Sequence, residues 1–428
     1  MQYLFQTLFL FISLFLIGCG DSSNSTETTE PDTTIPDITD TSFGEQGTTQ
    51  SSFAGTSVLI DGRDIDVNPD GDLVIVGHFE TLETNRKQAA VMLMDSNGKL
   101  INSFGDNGQY YTEFPLNTVG NNVAFQDDKI LIGSQQGPYV VISRIDRTGK
   151  VDATFKNEGS FREDRISPLT SEYITEMLVD TSNRIYVSGY ITPNDLFLLR
   201  YLPNGEPDIT FGTDGIVRYG YEKPLKGGNL SFSPDGRIML SASVSLSSRN
   251  FGSATIAFFA DGSVDTSFGN EGISVVNYSE EPSSLINRGI TVDDQGRSIL
   301  VASNNLSNVS TRAIIYRLTS TGKQDFDFGD NGFTVIEEGF SLGLFKPKMD
   351  DEKIVIAGYL RKTIFETNLF IVRLLSSGQL DPTFGNKGKG GIDVGNIGEA
   401  RDTAVFGDRY YLGGYIFDDQ SIISATKR

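Results

Sequence analysis

The chain has 428 residues, with 35 Lys and Arg against 56 Asp and Glu and a formal net charge of -21. So acidic a surface repels phosphate backbones and anionic headgroups, which argues against nucleic-acid binding and against electrostatic attachment to a membrane. Abundant glycine (46 residues), short Val/Ile/Leu/Phe runs and no useful amphipathic helical period point to an all-β chain, long enough for one large closed domain.

The first element, residues 1–18, carries an apolar run from Tyr3 to Ile17 that is too short for a transmembrane helix and suits the core of a signal peptide, although no Lys or Arg precedes it. It ends in "LIGC", Leu16 to Cys19, which resembles a bacterial lipobox. Cys19 is the only cysteine and can form no internal disulfide, so it is read as the lipid attachment site, with a buried thiol as the alternative. Residues 19–39 are rich in Ser, Thr, Asp, Glu and Pro and read as a disordered acidic tether. Gly20 stands where Asp would resemble an inner-membrane retention signal. The expected address is therefore the outer membrane, facing periplasm or exterior.

From Asp40 onward one element recurs at intervals of about 51 to 61 residues. It is "DTSFGEQG" at Phe43, "INSFGDNG" at Phe104, "DATFKNEG" at Phe155, "DITFGTDG" at Phe211, "DTSFGNEG" at Phe268, "DFDFGDNG" at Phe328 and "DPTFGNKG" at Phe384. After each copy comes a short strand such as "GIVRY", then a strand running into a turn such as "LSFSPDGR", then an apolar strand such as "LVIVG" (Leu73 to Gly77) or "IVIAG" (Ile354 to Gly358), then one such as "FIVRLL" from Phe370. The Asp-Gly turns are hairpin signals of the type with two positive-φ residues. Four antiparallel strands per period make a propeller blade, and nearly continuous apolar strands imply burial of both sheet faces. Residues 40–428 are therefore predicted to be a seven-bladed β-propeller. The last period offers strands near Ile392, Val405, Leu412 and Ile422. The unattached copy at Asp40 to Gly47 is expected to dock beside the C-terminal strand and close the ring.

Within the motif the two glycines suit left-handed backbone in a link between blades, and the phenylalanine an apolar plug. The third copy has Lys156 at the first glycine site. The aspartate three residues before Phe suits a turn, its carboxylate accepting a backbone N–H two residues on. Arg144, Arg200, Arg317 and Arg373 stand at one fixed distance before their phenylalanines, and Asp152, Asp208, Asp325 and Asp381 at another. They are expected to form blade salt bridges, since Arg in an apolar strand needs a partner. A ring of Arg binding an anion at the axis is the alternative. Leu93 and Ile101 replace both partners at Phe104, while Phe268 keeps Asp265 with Ala257, a copy missing its Arg that serves as the control for whether the carboxylate's first duty is to backbone.

These spaced Asp-x-Thr/Ser-Phe-Gly-x-x-Gly elements, each after an apolar strand, resemble the delta-60 repeat family, a bacterial β-propeller family of unknown function that is often secreted or envelope-attached. The resemblance spans Asp40 to Arg428 and implies the fold without supplying a catalytic residue.

The chemistry-bearing residues are few. His78 is the only histidine, expected at a surface or blade end, and no His-based zinc site, nucleophile elbow or phosphate-binding loop is evident. Asp106 and Asp330, in "FGDNG", are candidate calcium ligands, although Asp/Asn/Gly is equally what a hairpin turn requires. No other cofactor is expected. The leading expectation is a non-enzymatic, monomeric binding or scaffold protein that displays loops to a protein or glycan at the envelope and meets the membrane only through its lipid. The alternative is an exported hydrolase or lyase using carboxylates, with or without calcium, at the axial mouth.

Overall fold

The structure, a computed structural model, describes residues 35–51, 62–81, 86–112, 118–166, 172–191, 195–247, 250–278, 285–305, 311–339, 341–363, 366–394, 398–416 and 420–428. The signal segment and Cys19 lie outside the described residues. Seven separate four-stranded antiparallel sheets account for the strands. The first strands of successive sheets pack side by side around an axis, and the last returns to the first. Residues 35–428 thus form a closed seven-bladed β-propeller.

Period-two alternation explains why these strands stack as blades. In blade 1, Leu73 and Ile75 pack into one cluster with Tyr411 and Ile423 of blade 7, while Val74 and Val76 enter another with Val123, Ile130 and Ile132 of blade 2. Blade 6 repeats the division, sending Ile354 and Ile356 toward Ile299 and Val301 of blade 5, and Val355 and Ala357 toward Leu412 of blade 7. Every second and third strand therefore has two buried faces, and an apolar residue is required at both parities.

Ring closure comes from the N-terminal copy. Thr48–Ser51 is the outer strand of blade 7, antiparallel to Gln420–Lys427 in a register that sets Thr48 opposite Ser424 and Ser51 opposite Ser421. The backbone before it crosses the seam between blades 6 and 7. Ile38 donates its N–H to Gly391 O at 3.0 Å, Gly391 donates to Pro36 O, and Asp40 donates to Ala425 O at 2.9 Å.

Blade boundaries differ by one strand from the sequence expectation. The strand after each motif does not open a new blade; Ile216–Tyr219 pairs with Asp195–Tyr201 as the outer strand of blade 3, and Lys389–Ile392 belongs to blade 6 rather than blade 7. The motif is thus the hairpin between the third and outer strands of one blade. The Asp-Gly turns differ as well. Gly236 and Gly71 adopt positive φ (87° and 89°), and neither preceding aspartate does. Gly236 N–H bonds Ser233 O, and Ser233 N–H bonds Arg237 O, so the turn needs only one left-handed residue.

The first strands carry one further regularity. Six of them break register at the same level, between Gly120 and Asn122, Ile174 and Glu176, Gly227 and Asn229, Asn287 and Gly289, Leu344 and Pro347, and Ala400 and Asp402. A bulge re-aims side chains at an otherwise regular strand, here around the axis. Asp64 opens the first strand of blade 1 opposite Val76.

Removal of residues 35–51 is expected to expose the edge of Gln420–Lys427 and to strip Arg409 of Asp40. The shortened protein should lose several degrees in Tm and gain aggregation, both relieved by the 35–51 peptide added in trans. An unchanged Tm would show that closure does not depend on this strand.

Candidate functional site

All seven motif phenylalanines are buried. Their neighbours across the blade junction explain why. A Cβ on Gly205 would come within 2.7 Å of the Phe155 ring, and one on Gly322 within 2.9 Å of Phe268. Phe43, Phe211 and Phe328 likewise meet Gly98, Gly262 and Gly378, so these five rings fit against a glycine in the turn of the following blade. The residue after Phe reinforces this contact through its N–H. Gly44 bonds Asn97 O, Gly105 bonds Thr148 O, Gly212 bonds Asp261 O, Gly269 bonds Thr321 O and Gly329 bonds Ser377 O, at 2.7 to 2.9 Å. Lys156 makes the same bond to Asn204 O. What glycine supplies is conformation: Gly269 has φ 58° and a Cβ there would lie 2.3 Å from Ile273 O. In the Lys156 copy the left-handed backbone moves one residue on, to Asn157, while Glu158 is left-handed as Glu271 is at the same place in the Phe268 copy.

The aspartate of the motif divides its oxygens. Oδ1 of Asp208 accepts the N–H and hydroxyl of Thr210 at 3.1 and 2.6 Å, while Oδ2 accepts Arg200 Nε at 2.8 Å. Arg144 with Asp152 (2.9 Å), Arg317 with Asp325 (2.8 Å) and Arg373 with Asp381 (2.8 Å) share the geometry. Each guanidinium also lies over its own motif phenylalanine, 4.5 to 4.9 Å from the ring centre. Their remaining nitrogens reach the next blade: Arg144 donates to Pro203 O, Arg200 to Ala260 O and Arg317 to Ser376 O. These arginines therefore sit in blade junctions, each with its carboxylate. Burial alone would raise these carboxyls, but the hydrogen bonds of Thr154, Thr210 and Thr383, with the cations, hold Asp152, Asp208 and Asp381 below the usual range.

Asp265 does not stand without a cation, contrary to the expectation from Ala257. Arg237, one strand closer to the axis, supplies Nη1 at 3.2 Å. The same substitution recurs at the seam, where Ala425 lies in the third strand and Arg409 donates through Nε to Asp40 at 2.7 Å. Met239 opposite Ala257 and Tyr411 opposite Ala425 mark the shared position. When the third strand lacks arginine, the start of the second strand provides it.

The axis holds the densest cluster of ionisable side chains, which sequence reasoning did not single out. Lys346 Nζ of blade 6 lies 2.6 Å from Asp64 Oδ1 of blade 1, 2.9 Å from Glu176 Oε1 of blade 3 and 3.5 Å from Asp402 Oδ2 of blade 7. Lys348 Nζ lies 3.4 Å from Asp402 Oδ1. Backbone completes the set: Val123 N–H bonds Asp64 Oδ2 at 2.9 Å and Phe125 N–H bonds Asp66 Oδ2 at 2.8 Å. Lys346 thus spans the axis and joins opposite walls. Burial pushes the Asp64 carboxyl well up, partly opposed by Lys346 and aided by Asp402 beside it. Burial also raises Glu176 and Asp66. Against its own burial, Asp402 is held low by Lys348 and Lys346. The two neighbouring carboxyls are thus pushed in opposite directions, Asp64 up and Asp402 down. Lys346, partly shielded from solvent, is held firmly cationic by Asp64, Glu176 and Asp402 against the cost of that burial. A cavity of about 160 Å³ adjoins the cluster, lined by Asp64, Asp66, Glu176, Lys348 and Asp402 among others.

Other sequence candidates lie elsewhere. Asp106 and Asp330 each accept a hydrogen bond from the next residue's side chain, Asn107 at 2.8 Å and Asn331 at 2.9 Å. Both asparagines are left-handed, as the turn requires. Among the described residues no group of three or more His, Cys, Asp or Glu is placed to hold a metal ion. His78 is not at the surface; it is buried in Leu73–Thr81, opposite Ala89.

Comparison with known proteins gives the family described as "Domain of unknown function (DUF5122) beta-propeller", matched at residues 181–211 and 350–384. No curated protein matches. Among solved structures, the chain is similar to a PL25 ulvan lyase, a polysaccharide lyase (TM-score 0.49, 9% identity, covering 88% of this chain and 96% of that one). It is also similar to the β-propeller domain of the Trilobed protease from Pyrococcus furiosus (TM-score 0.46, 11% identity, 88% and 96%). A third is the α-L-arabinofuranosidase Arb93A of Fusarium graminearum (TM-score 0.43, 10% identity, 73% and 91%).

Blade 1 shows that the buried ion pair can be replaced whole. Arg200→Leu alone should cost about 3 kcal/mol in urea unfolding, because it leaves Asp208 buried without its cation. Adding Asp208→Ile, which recreates the Leu93 and Ile101 arrangement, should recover part of that loss; a double variant as costly as the sum would show no coupling.

Stability should decline at both ends of the pH range. The lowered carboxyls of Asp152, Asp208 and Asp381 stabilise the fold above their unfolded pKa near 4, and that contribution is lost as pH falls through the folded values. The raised carboxyl of Asp64 acts oppositely: its contribution is complete below the unfolded pKa and is lost as pH rises through the folded one. Unfolding of Asp64→Asn from about pH 3 to about pH 9 should therefore show a flatter alkaline limb and an unchanged acid limb.

Proposed function

We propose that this chain is an envelope-tethered, non-enzymatic binding or scaffold protein, anchored through Cys19 and displaying its propeller faces to a protein or glycan partner. The observation that carries this reading is the bridge across the axis. A substrate drawn into the centre would meet Lys346 bonded to carboxylates on three other blades. Breaking such a cluster leaves buried charges without partners and is costly. The lysine is held cationic and is poorly suited to accept a proton. Binding then belongs at the faces, where the fold sets turns from seven blades side by side.

A second reading, an exported hydrolase or lyase, has one observation in its favour. Beside a cavity, the Asp64 carboxyl is pushed up while the neighbouring Asp402 is held down, the direction of split that general acid and base chemistry uses.

Purified protein incubated with envelope polysaccharides is expected to bind saturably without releasing reducing ends or unsaturated products. Turnover abolished in both Asp64→Asn and Asp402→Asn would replace the binding reading with the enzymatic one. For the address, Cys19→Ser should release the protein from the membrane fraction, and unchanged retention would remove the lipid anchor from this reading.

A further inference from the structure

The bulges of the first strands set a second group of side chains at the end of the axis where those strands begin. In blades 5, 6 and 7, taken in ring order, the positions are Arg288, Phe345 and Arg401, and Arg63, just before the unbulged first strand of blade 1, takes the equivalent place. The corresponding residues of blades 2, 3 and 4, Asn121, Thr175 and Gly228, are uncharged. Three guanidinium groups thus gather on one side of one mouth in a chain of net charge -21.

Their surroundings differ from those of the arginines in the blade junctions. The Arg288 and Arg401 guanidinium carbons lie 5.7 and 5.2 Å from the centre of the same Phe345 ring. Arg401 is also placed 5.3 Å from the Tyr415 ring and is held by Glu399 at 2.9 Å and Tyr415 Oη at 3.2 Å. Tyr359 stacks obliquely on Phe345 with centres 6.2 Å apart. Arg63 donates to Asn121 Oδ1 at 3.0 Å. Arg288 differs from both: its Nε donates to Ser303 Oγ at 2.9 Å, and among the described residues its terminal nitrogens meet no carboxylate. Burial, with Arg401 close by, lowers its affinity for its proton, against the opposing effects of Tyr359 and Glu399. Arg288, Phe345, Tyr359, Arg401 and Tyr415 are all partly exposed, so a ligand can reach them.

A buried or half-buried guanidinium ordinarily has an anion in its fork, as Arg200 has Asp208. Glu399 answers Arg401, whereas among the described residues the fork of Arg288 has no carboxylate of its own and is left open to an external anion. An aromatic surface beside cationic forks suits a ring that is apolar on one face and bears a planar or tetrahedral anion at its edge. Inorganic anions would satisfy the charge without contacting the exposed parts of Phe345, Tyr359 and Tyr415. We propose that this mouth of the propeller is a subsite for an acidic saccharide, with Arg288 binding the carboxylate or sulfate and Phe345 receiving the sugar ring. The proposal rests on the binding reading above and names its ligand class.

The test titrates the full folded chain with three oligosaccharides of matched length: an oligogalacturonate, a sulfated galactan fragment and a neutral cello-oligosaccharide. Calorimetry is run at low and at raised salt. At least one acidic probe is expected to bind saturably and more weakly in salt, with affinity reduced about tenfold or more in Arg288→Gln and in Phe345→Leu at unchanged Tm. Arg288→Lys should fall between, since it keeps the charge and loses the fork. Failure of both acidic probes to bind the folded protein would overturn the subsite, as would equal affinity in Arg288→Gln or Arg288→Lys and wild type. Saturable binding of the neutral probe alone would overturn it while leaving the binding reading intact. Cleavage of any probe, lost in Asp64→Asn, would instead overturn the binding reading.

Discussion

Hydrophobic contact between flat sheets is non-directional, so the angle at which one blade meets the next needs a polar fastening, and here a single aspartate supplies its core. Oδ1 of Asp208 holds the turn that aims Phe211, and Oδ2 holds Arg200, whose far nitrogen reaches Ala260 O in the following blade. Local turn, intrablade ion pair and interblade bond are therefore one network. The phenylalanine fits because the facing turn has a glycine, and its ring in turn receives the guanidinium face. Satisfying both oxygens keeps a buried charge from becoming a liability.

This arrangement repeats with different suppliers. Arg237 and Arg409 reach Asp265 and Asp40 from the second strand when the third strand offers alanine, and blade 1 replaces the pair with Leu93 and Ile101. A fastening that can be met from two strands, or exchanged for apolar contact, tolerates drift in any one repeat. The seam depends on it most. There Arg409 joins Asp40 of the N-terminal copy to Ser96 O of blade 1, tying segments far apart in sequence into one junction.

At the axis the repeats diverge, and chemistry enters through that divergence. Equivalent places on the first strands carry Asp64, Asn122, Glu176, Asn229, Lys346 and Asp402, so the centre is a mixed cluster rather than a symmetrical ring. Of the acids that meet Lys346 there, Asp64 and Glu176 come from blades that are not its neighbours. Nothing in the local sequence of blade 3 indicates that Glu176 will meet a lysine of blade 6. A polar residue ahead of each apolar second strand was the available signal, but short strands such as "DIDV" and "TEMLV" read equally well as half-exposed alternation.

Spacing and composition alone determined that the chain is a ring of seven four-stranded blades and that the first copy of the motif completes the last blade. Repeats of one length with two-faced apolar strands have few other ways to bury their surface. Arginine and aspartate at constant offsets also made their pairing legible, because a charge in an apolar strand must be met nearby. Tertiary structure decided what constant offsets cannot carry. It assigned the strand after each motif to the preceding blade, gave Asp265 a guanidinium that its own repeat pattern lacked, and moved His78 into the sheet interior. It also brought Asp64, Glu176, Lys346 and Asp402 together, and Arg288 and Arg401 to one phenylalanine. Those meetings depend on bulges and on the closure of the ring, which place side chains from different repeats within bonding distance without leaving a local pattern to read.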